Sequence, residues 1–186
     1  MKIRNLLLLC SIVGLPLIAS GQENNEPENI VGKGSKMIMG LADFSSISYN
    51  SSSDRTNSFS LSTSYDRFYK DNMFIGVGLA GAYQSTINVN STTLAFGPEI
   101  GYALGNQNSK VLPFIDGGCS LSVLKFNSSD SYNLGLDLSA GLGVLIPIQK
   151  HLGLAIEGKY NNLNYYDLGL KVTGFSLNIG FIGFLL

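Results

Sequence analysis

Apolar residues alternate with small or polar residues along this chain in stretches of about ten, and this feature restricts its fold more than any other. In residues 133–146, leucine, alanine, valine and isoleucine occupy every even position, whereas the odd positions hold mainly asparagine, glycine, aspartate and serine. A period of two is the side-chain period of a β-strand. The same alternation predicts strands in residues 58–66, 74–84, 93–102 and 152–160, and less regular ones in residues 36–49, 111–126 and 174–184. About eight strands are therefore expected.

The predicted connections alternate between two lengths. Short polar turns are expected at residues 69–72, 105–109 and 147–151, and longer loops rich in serine and asparagine at residues 50–57, 85–92, 127–131 and 161–173. An up-and-down sheet then places the three short turns and both termini at one end. Short periplasmic turns and longer external loops are typical of outer-membrane barrels. The predicted fold class is an all-β, transmembrane, antiparallel up-and-down β-barrel of about eight strands.

The two faces of the predicted strands differ in size as well as in polarity. One face carries leucine, isoleucine, valine and phenylalanine, and the other carries glycine, alanine and serine with isolated charges. Charged residues make up 13% of the chain, about half their usual share in a soluble domain. A soluble barrel would bury its bulky apolar residues inside. We therefore expect the bulky face to contact lipid, around an interior of small and charged residues.

Aromatic residues near the strand ends give a second indication. One group lies beside the longer loops: Tyr49, Phe59, Tyr83, Phe126, Tyr132, Tyr160 and Phe175. The other lies near the short turns: Phe68, Tyr69, Phe74, Tyr102, Phe114, Phe181 and Phe184. Membrane barrels carry aromatic girdles at both interfaces, so both groups are expected to face the membrane. The alternative is that aromatic residues simply favour strands.

The first 21 residues have the pattern of a secretory signal peptide, in which two basic residues precede an apolar run and a small-residue cleavage site near Gly21. Residues 22–32 are expected to form a short periplasmic segment, and residues 33–186 the barrel. Cleavage would leave ten basic and thirteen acidic residues, a net charge of about −3. Such a chain has no basic field for a nucleic acid, so none is expected as a partner.

Three segments resemble a known family. Residues 64–78 resemble the strand–turn–strand unit of small eight-stranded outer-membrane barrels of the OmpA/OmpX type, which are common in Bacteroidetes as single-barrel proteins. Residues 96–102 and 112–118 resemble the fourth and fifth strands of that group. The resemblance covers the chain from about residue 33 onward. It implies a barrel in the outer membrane of a Gram-negative bacterium, placed there by the barrel-insertion machinery, and it implies no common chemistry.

Two residues depart from the regular pattern. Phe184 is out of phase with the apolar series of the last strand, which leaves the register there open. Pro98 lies inside a strand, where proline cannot donate a ladder hydrogen bond, so either a bulge or an unbonded position is expected.

Six ionisable residues are expected on the inward face: Asp66, Glu99, Asp116, Asp137, Glu157 and Lys159. Eight-stranded barrels are narrow enough for side chains to fill them, so these groups should form a hydrogen-bonded, ion-paired network. Asp43 and Lys171 are considered as further members. Because acids outnumber bases, the remaining carboxylates need water, Arg67 or Lys125 as partners, or a proton. The alternative function for the acidic residues is a narrow path for cations.

The sequence offers little for catalysis. His151 is the only histidine and falls at a predicted short turn, and Cys119 is the only cysteine beyond the leader, so neither a catalytic site, a metal site nor a cofactor is expected. The loop predicted at residues 161–173 carries Tyr165 and Tyr166, which are candidates for contact with an external sugar or protein.

These features favour a non-enzymatic barrel with a structural or surface-interaction role, monomeric, in contact with outer-membrane lipid, and with an external partner that the sequence does not identify. Three alternatives stay open: a narrow cation-preferring pore, a barrel enzyme that modifies lipid, and a soluble ligand-binding barrel.

Overall fold

The computed structural model describes residues 30–48, 55–86, 89–105, 109–128 and 131–185. The predicted signal peptide and most of the segment after it lie outside these residues. Eight strands are present: β1 (Lys36–Ser48), β2 (Arg55–Lys70), β3 (Met73–Ser85), β4 (Asn90–Ala103), β5 (Leu112–Phe126), β6 (Tyr132–Gln149), β7 (Leu152–Tyr165) and β8 (Leu170–Leu185). Within the part of the chain described, no helix has the length and apolarity needed to cross a membrane.

The eight strands form a closed ring in sequence order, with antiparallel pairing throughout and β8 paired to β1. Following the register once around the ring returns to β1 displaced by ten residues, which is the shear number of the barrel. This stagger tilts the strands by roughly 35–45° from the barrel axis. The predicted fold class, an up-and-down barrel of eight strands, is confirmed.

The connections differ from the predicted ones. The predicted long loop at 161–173 is wrong, because β7 continues to Tyr165 and the connection to β8 is only residues 166–169. The asparagines of this segment are strand residues paired with β6, as in Asn162 opposite Leu138. At the other end two turns have two residues each, 71–72 and 150–151, but the β4–β5 connection spans residues 104–111. Connection length therefore separates the two ends less clearly than expected.

Bulky apolar side chains cover the outside of the barrel, as predicted for the regular strands. On β6, Leu134, Leu138 and Leu142 are exposed by 59%, 52% and 67%, while the odd-numbered residues between them face inward. The outward side chains of β4 and β8 follow the same rule: Leu94, Phe96, Ile100, Phe175, Leu177, Ile179 and Phe181. This surface fits lipid, because bulky hydrocarbon faces outward and the paired strands satisfy their backbone groups within the wall.

The interior is apolar at the end that carries the two-residue turns. We call this part the floor; it consists of Val31, Met37, Met39, Leu41, Phe68, Phe74, Ala103, Leu112, Phe114, Leu145, Ala155, Ile182 and Phe184. Phe68 and Phe74 pack edge to face, with ring centroids 5.6 Å apart. The predicted girdle is therefore wrong for four aromatics, Phe68, Phe74, Phe114 and Phe184, which fill the barrel. The expectation of a small and charged interior is also wrong at this end.

The segment before β1 completes the floor. Val31, assigned from the sequence to the periplasmic segment, is fully buried in the apolar cluster. Its carbonyl accepts a hydrogen bond from the Asn72 amide at 2.8 Å, and the Gly34 amide donates to the Phe68 carbonyl at 2.7 Å. Asn72 occupies the left-handed region, with φ of 68°, which the tight β2–β3 turn requires. The folded unit thus begins before residue 33.

Phe184 and Pro98 each have a simple structural account. Phe184 is out of phase because it faces inward, like Ile182, while β8 keeps an unbroken register with β7 and β1. At Pro98 the β4–β5 pairing stops after Phe96 and resumes at Glu99 in the same register. Of the two outcomes expected at the proline, the structure has the interrupted ladder rather than the bulge.

The wall between β1 and β8 is paired over only half its height. Seven residue pairs join residues 36–42 to residues 179–185, compared with thirteen pairs between β1 and β2. Residues 43–48 of β1 and 170–178 of β8 are strand residues without pairing across this seam. The floor half of the ring is therefore closed, whereas the other half is interrupted at one position.

Candidate functional site: the polar lumen

All six predicted ionisable residues lie inside the barrel, above the floor. We call this group the lumen cluster: Asp66 on β2, Glu99 on β4, Asp116 on β5, Asp137 on β6, and Glu157 and Lys159 on β7. Each occupies an inward position of its strand, as the period-two pattern predicts, and the register between strands sets its height above the floor. Asp66 is fully buried and Glu157 is 1% exposed.

Lys159 is the centre of the ion pairs in the cluster. Its Nζ lies 3.3 Å from Asp116 Oδ2 and 3.1 Å from Glu157 Oε1. The contact with Asp116 has hydrogen-bond geometry, and the Asn178 amide donates to the other Glu157 oxygen, Oε2, at 3.5 Å. Ser176 Oγ donates to the Lys159 carbonyl at 3.5 Å. Strands β5, β7 and β8 are therefore tied together by this network, which reaches across the inward face of β6.

A second pair of carboxylates lies beside the first. Ser64 Oγ donates to Asp66 Oδ2 at 2.7 Å, and Asp66 also interacts with the Glu99 side chain. No lysine or arginine contacts either carboxylate among the described residues.

Glycine on the inward face provides the space for these carboxylates. A Cβ atom at Gly141 would collide with both Asp116 Oδ1 and Glu157 Oε1, so these two oxygens converge over that glycine. A Cβ at Gly76 would collide in the same way with Asp66 Oδ1. The sequence showed small residues on this face. It did not show which glycine lies beneath which carboxylate, because that depends on the register between strands.

The predicted balancing bases do not reach the cluster. Arg67 and Lys125 stand at outward positions, and Lys125 Nζ lies 5.1 Å from the centre of the Tyr132 ring. Of the partners considered for the remaining carboxylates, the structure therefore does not provide Arg67 or Lys125. Asp43 does face inward, 3.4 Å from Ser60 Oγ, whereas Lys171 is exposed. The cluster itself holds five carboxylates and one ammonium.

A cavity of about 290 Å³ lies between the cluster and the loop end. Glu99, Asp137 and Lys159 form part of its wall, and Met39 and Leu41 border it on the floor side. Hydroxyl groups make up much of the rest: Ser60, Ser62, Ser64, Thr93, Ser120, Ser122, Ser139 and Ser176. The open space was not predicted from the sequence, although the inward serines of β2 and β5 were a signal for it.

The two tyrosines predicted to contact an external partner lie in different environments, one buried and one exposed. Tyr165 lies on β7, is 2% exposed and packs inward against Gly135, so its predicted position in an exposed loop is wrong. Tyr166 is 64% exposed in the β7–β8 turn. The reason is that the strand alternation continues through Asn161, Leu163 and Tyr165, past the point where the asparagine-rich composition suggested a loop.

His151 lies at the floor end, in the β6–β7 turn, where its Nδ1 donates to the Phe184 carbonyl at 3.0 Å. Cys119 is exposed on the outward face of β5. Over the described residues, no three His, Cys, Asp or Glu side chains are arranged to hold a metal ion.

Comparison with solved structures gives barrels of the same kind. Neisserial surface protein A superposes with a TM-score of 0.64 at 17% identity, over 81% of this chain and 99% of that one. The N-terminal β-barrel domain of OprF from Pseudomonas aeruginosa gives 0.56 at 13% identity, over 83% and 99%, and OprG from the same organism gives 0.54 at 15%, over 83% and 97%. At these identities the likeness concerns the fold alone.

Comparison of the sequence gives one partial relative and one family model. A 75-residue stretch is 33% identical to a G-type lectin S-receptor-like serine/threonine-protein kinase of Arabidopsis thaliana, but it spans 39% of this chain and only 9% of that protein. The family model described as outer membrane protein beta-barrel domain matches residues 8–182. The outward hydrocarbon face, the closed eight-stranded ring and this match agree, and the chain belongs to the outer membrane protein β-barrel family.

Proposed function

We propose that this outer-membrane barrel is non-enzymatic and has a structural or surface-interaction role at the cell exterior. The observation that carries the proposal is the floor. Its phenylalanine, leucine and methionine side chains fill the barrel at the end with the two-residue turns, while the cavity lies toward the other end. Two-residue turns are typical of the periplasmic side. In this orientation the polar lumen is a blind pocket open toward the exterior.

The placement of the reactive residues supports a non-enzymatic role. A barrel enzyme acting on lipid needs a nucleophile and a base close together. His151 is bonded to a backbone carbonyl at the floor end, away from the serines of the cavity. An unchanged lipid profile in a deletion strain is the expected result; an altered acylation pattern restored by the wild-type gene would contradict the proposal.

Conductance separates this proposal from the pore. The purified protein in planar bilayers is expected to give no discrete conductance steps, because the apolar floor blocks the lumen. Phe114→Ala, which shortens a floor side chain that is 2% exposed, should introduce small steps. Phe181→Ala changes an outward side chain at the same end and should leave the bilayer silent. Cation-selective steps from the wild-type protein would overturn the proposal.

A narrow cation-preferring pore is the second candidate, favoured by the five carboxylates against one ammonium in the lumen cluster. Ion passage would require the floor to open, and the same bilayer recordings test it.

The proposed partners are outer-membrane lipid on the bulky outer face and the barrel-insertion machinery during assembly, with the barrel itself a monomer. Folded protein in detergent should migrate on gels at a different apparent size before and after boiling. Light scattering should give the mass of one chain per micelle. A mature protein that stays soluble without detergent would contradict the membrane assignment.

A further inference from the structure

The charges of the lumen are unbalanced. Lys159 contacts Asp116 and Glu157, but no basic side chain of the described residues lies within ion-pair distance of Asp66, Glu99 or Asp137. Burying an uncompensated charge is costly, and the cost falls when a cation is placed beside it. The lumen therefore favours a positively charged guest.

Several oxygens of this compartment have no hydrogen-bond partner among the described residues. They include Glu99 Oε1 and Asp137 Oδ1, whose side chains line the cavity, and Ser122 Oγ. Ser122 is the clearest case, because it is 1% exposed, lines the cavity and has its hydroxyl unpaired. Native proteins pair nearly all buried polar groups, so these oxygens are acceptors available to a ligand that donates hydrogen bonds.

The shape of the site favours an ammonium group over a metal ion. No three acidic, histidine or cysteine side chains in the described ranges converge as metal ligands do. An ammonium donates three hydrogen bonds to carboxylate and hydroxyl oxygens in flexible geometry. Lys159 is the chain's own example, since its Nζ lies between Asp116 Oδ2 and Glu157 Oε1 at 3.3 and 3.1 Å.

We propose that the lumen cavity binds a small aliphatic amine through Glu99, Asp137 and the surrounding serine hydroxyls. The cavity volume of about 290 Å³ is at the small end of ligand pockets, which suits a short diamine. The carboxylates bind the ammonium group, and Ser122 and its neighbours accept the remaining N–H bonds. This inference rests on the proposed function in one respect, because the ligand enters from the exterior end of a lumen whose floor is closed.

The test uses the full mature chain, refolded in detergent, with 1,4-diaminobutane as the probe and 1,4-butanediol as its neutral analogue. Isothermal titration at constant ionic strength should show saturable binding of the diamine and none of the diol. Magnesium chloride at the same charge concentration should not compete. Equal binding of the diol, competition by magnesium, or no binding at all would overturn the proposal.

Two variants locate the site. Glu99→Gln and Asp137→Asn each remove one charged acceptor and should weaken diamine binding by about 10- to 100-fold. Asp167→Asn is the matched control, because it removes a carboxylate from the β7–β8 turn, outside the cavity. Heat-dependent gel migration checks that each variant is folded. Unchanged affinity in both lumen variants would overturn the proposed site.

The two proposals fail separately. Bilayer recordings that show an open wild-type pore would contradict the proposed function. Silent bilayers without diamine binding would remove only this inference.

Discussion

The floor and the lumen above it are formed by the same eight strands but differ in their inward side chains and in the pairing of the β1–β8 seam. In the floor, inward positions carry mainly phenylalanine, methionine and leucine, and the β1–β8 seam is paired. Above it, inward positions carry serine, glycine and acids around a cavity, and the same seam has no pairing. Apolar packing and seam pairing are therefore concentrated at one end, whereas the other end holds polar groups that a soluble core would exclude.

The largest expected effect is in the floor. Phe114→Ala removes a side chain that is 2% exposed and should lower the free energy of unfolding by about 3–5 kcal/mol, because it leaves a cavity among packed rings. Phe181→Ala at the same end is the control: its side chain is 64% exposed to lipid, and the loss should be much smaller. Urea unfolding in phospholipid vesicles measures both. Equal losses would mean that the floor is no tighter than the lipid face.

The next effect is in the lumen cluster. Lys159→Met removes the one ammonium of this cluster and leaves Asp116 and Glu157 facing each other, which should cost about 3 kcal/mol in unfolding free energy. Adding Asp116→Asn and Glu157→Gln to the same chain should restore most of that loss, because no unpaired charge remains there. A triple variant as unstable as Lys159→Met alone would show that the lysine acts by packing rather than by charge.

A charge on the outer face tests whether the wall around the floor and the lumen contacts lipid hydrocarbon. Leu142→Arg, near the middle of β6, should destabilise the folded barrel in vesicles by about 2–4 kcal/mol, because arginine at the bilayer midplane is poorly solvated. Tyr166→Arg at the exposed β7–β8 turn should have almost no effect. A tolerated Leu142→Arg would place β6 outside the hydrocarbon.

The smallest expected change in unfolding free energy is at the neighbouring residues Tyr165 and Tyr166. Tyr165 interacts through its hydroxyl with the Thr93 side chain, so Tyr165→Phe should lower stability by about 0.5–1.5 kcal/mol. Tyr166→Phe should change it by less, since that ring is exposed. The unfolding curves of Tyr165→Phe and Tyr166→Phe test whether the loop end of β7 is part of the folded wall. A larger effect at Tyr166 would contradict its place in the turn.

Regular alternation was the reliable signal. In residues 133–146 of β6 every inward and outward position could be assigned from the sequence, because the even positions hold only aliphatic side chains. On β1 the pattern was weak, and the inward placement of Met37, Met39 and Leu41 could not be anticipated. Methionine and leucine suit lipid and a packed core equally, so their hydrophobicity does not distinguish outside from inside.

The residues of the lumen cluster could be predicted from the sequence, but the contacts between them could not. Parity along each strand places Asp116, Glu157 and Lys159 inside, and no more than that. Whether they touch depends on the register between β5, β6 and β7, which the sequence of any one strand does not contain.

The sequence by itself determined the number of strands, the lipid-facing side of the regular ones and the acidic character of the interior, because these depend on side-chain period and polarity. Only the tertiary structure decided that four aromatics form a floor, that Gly141 seats two carboxylates, and that Tyr165 turns inward. Those outcomes depend on the stagger of ten residues around the ring, which sets the height at which each inward side chain meets its neighbours.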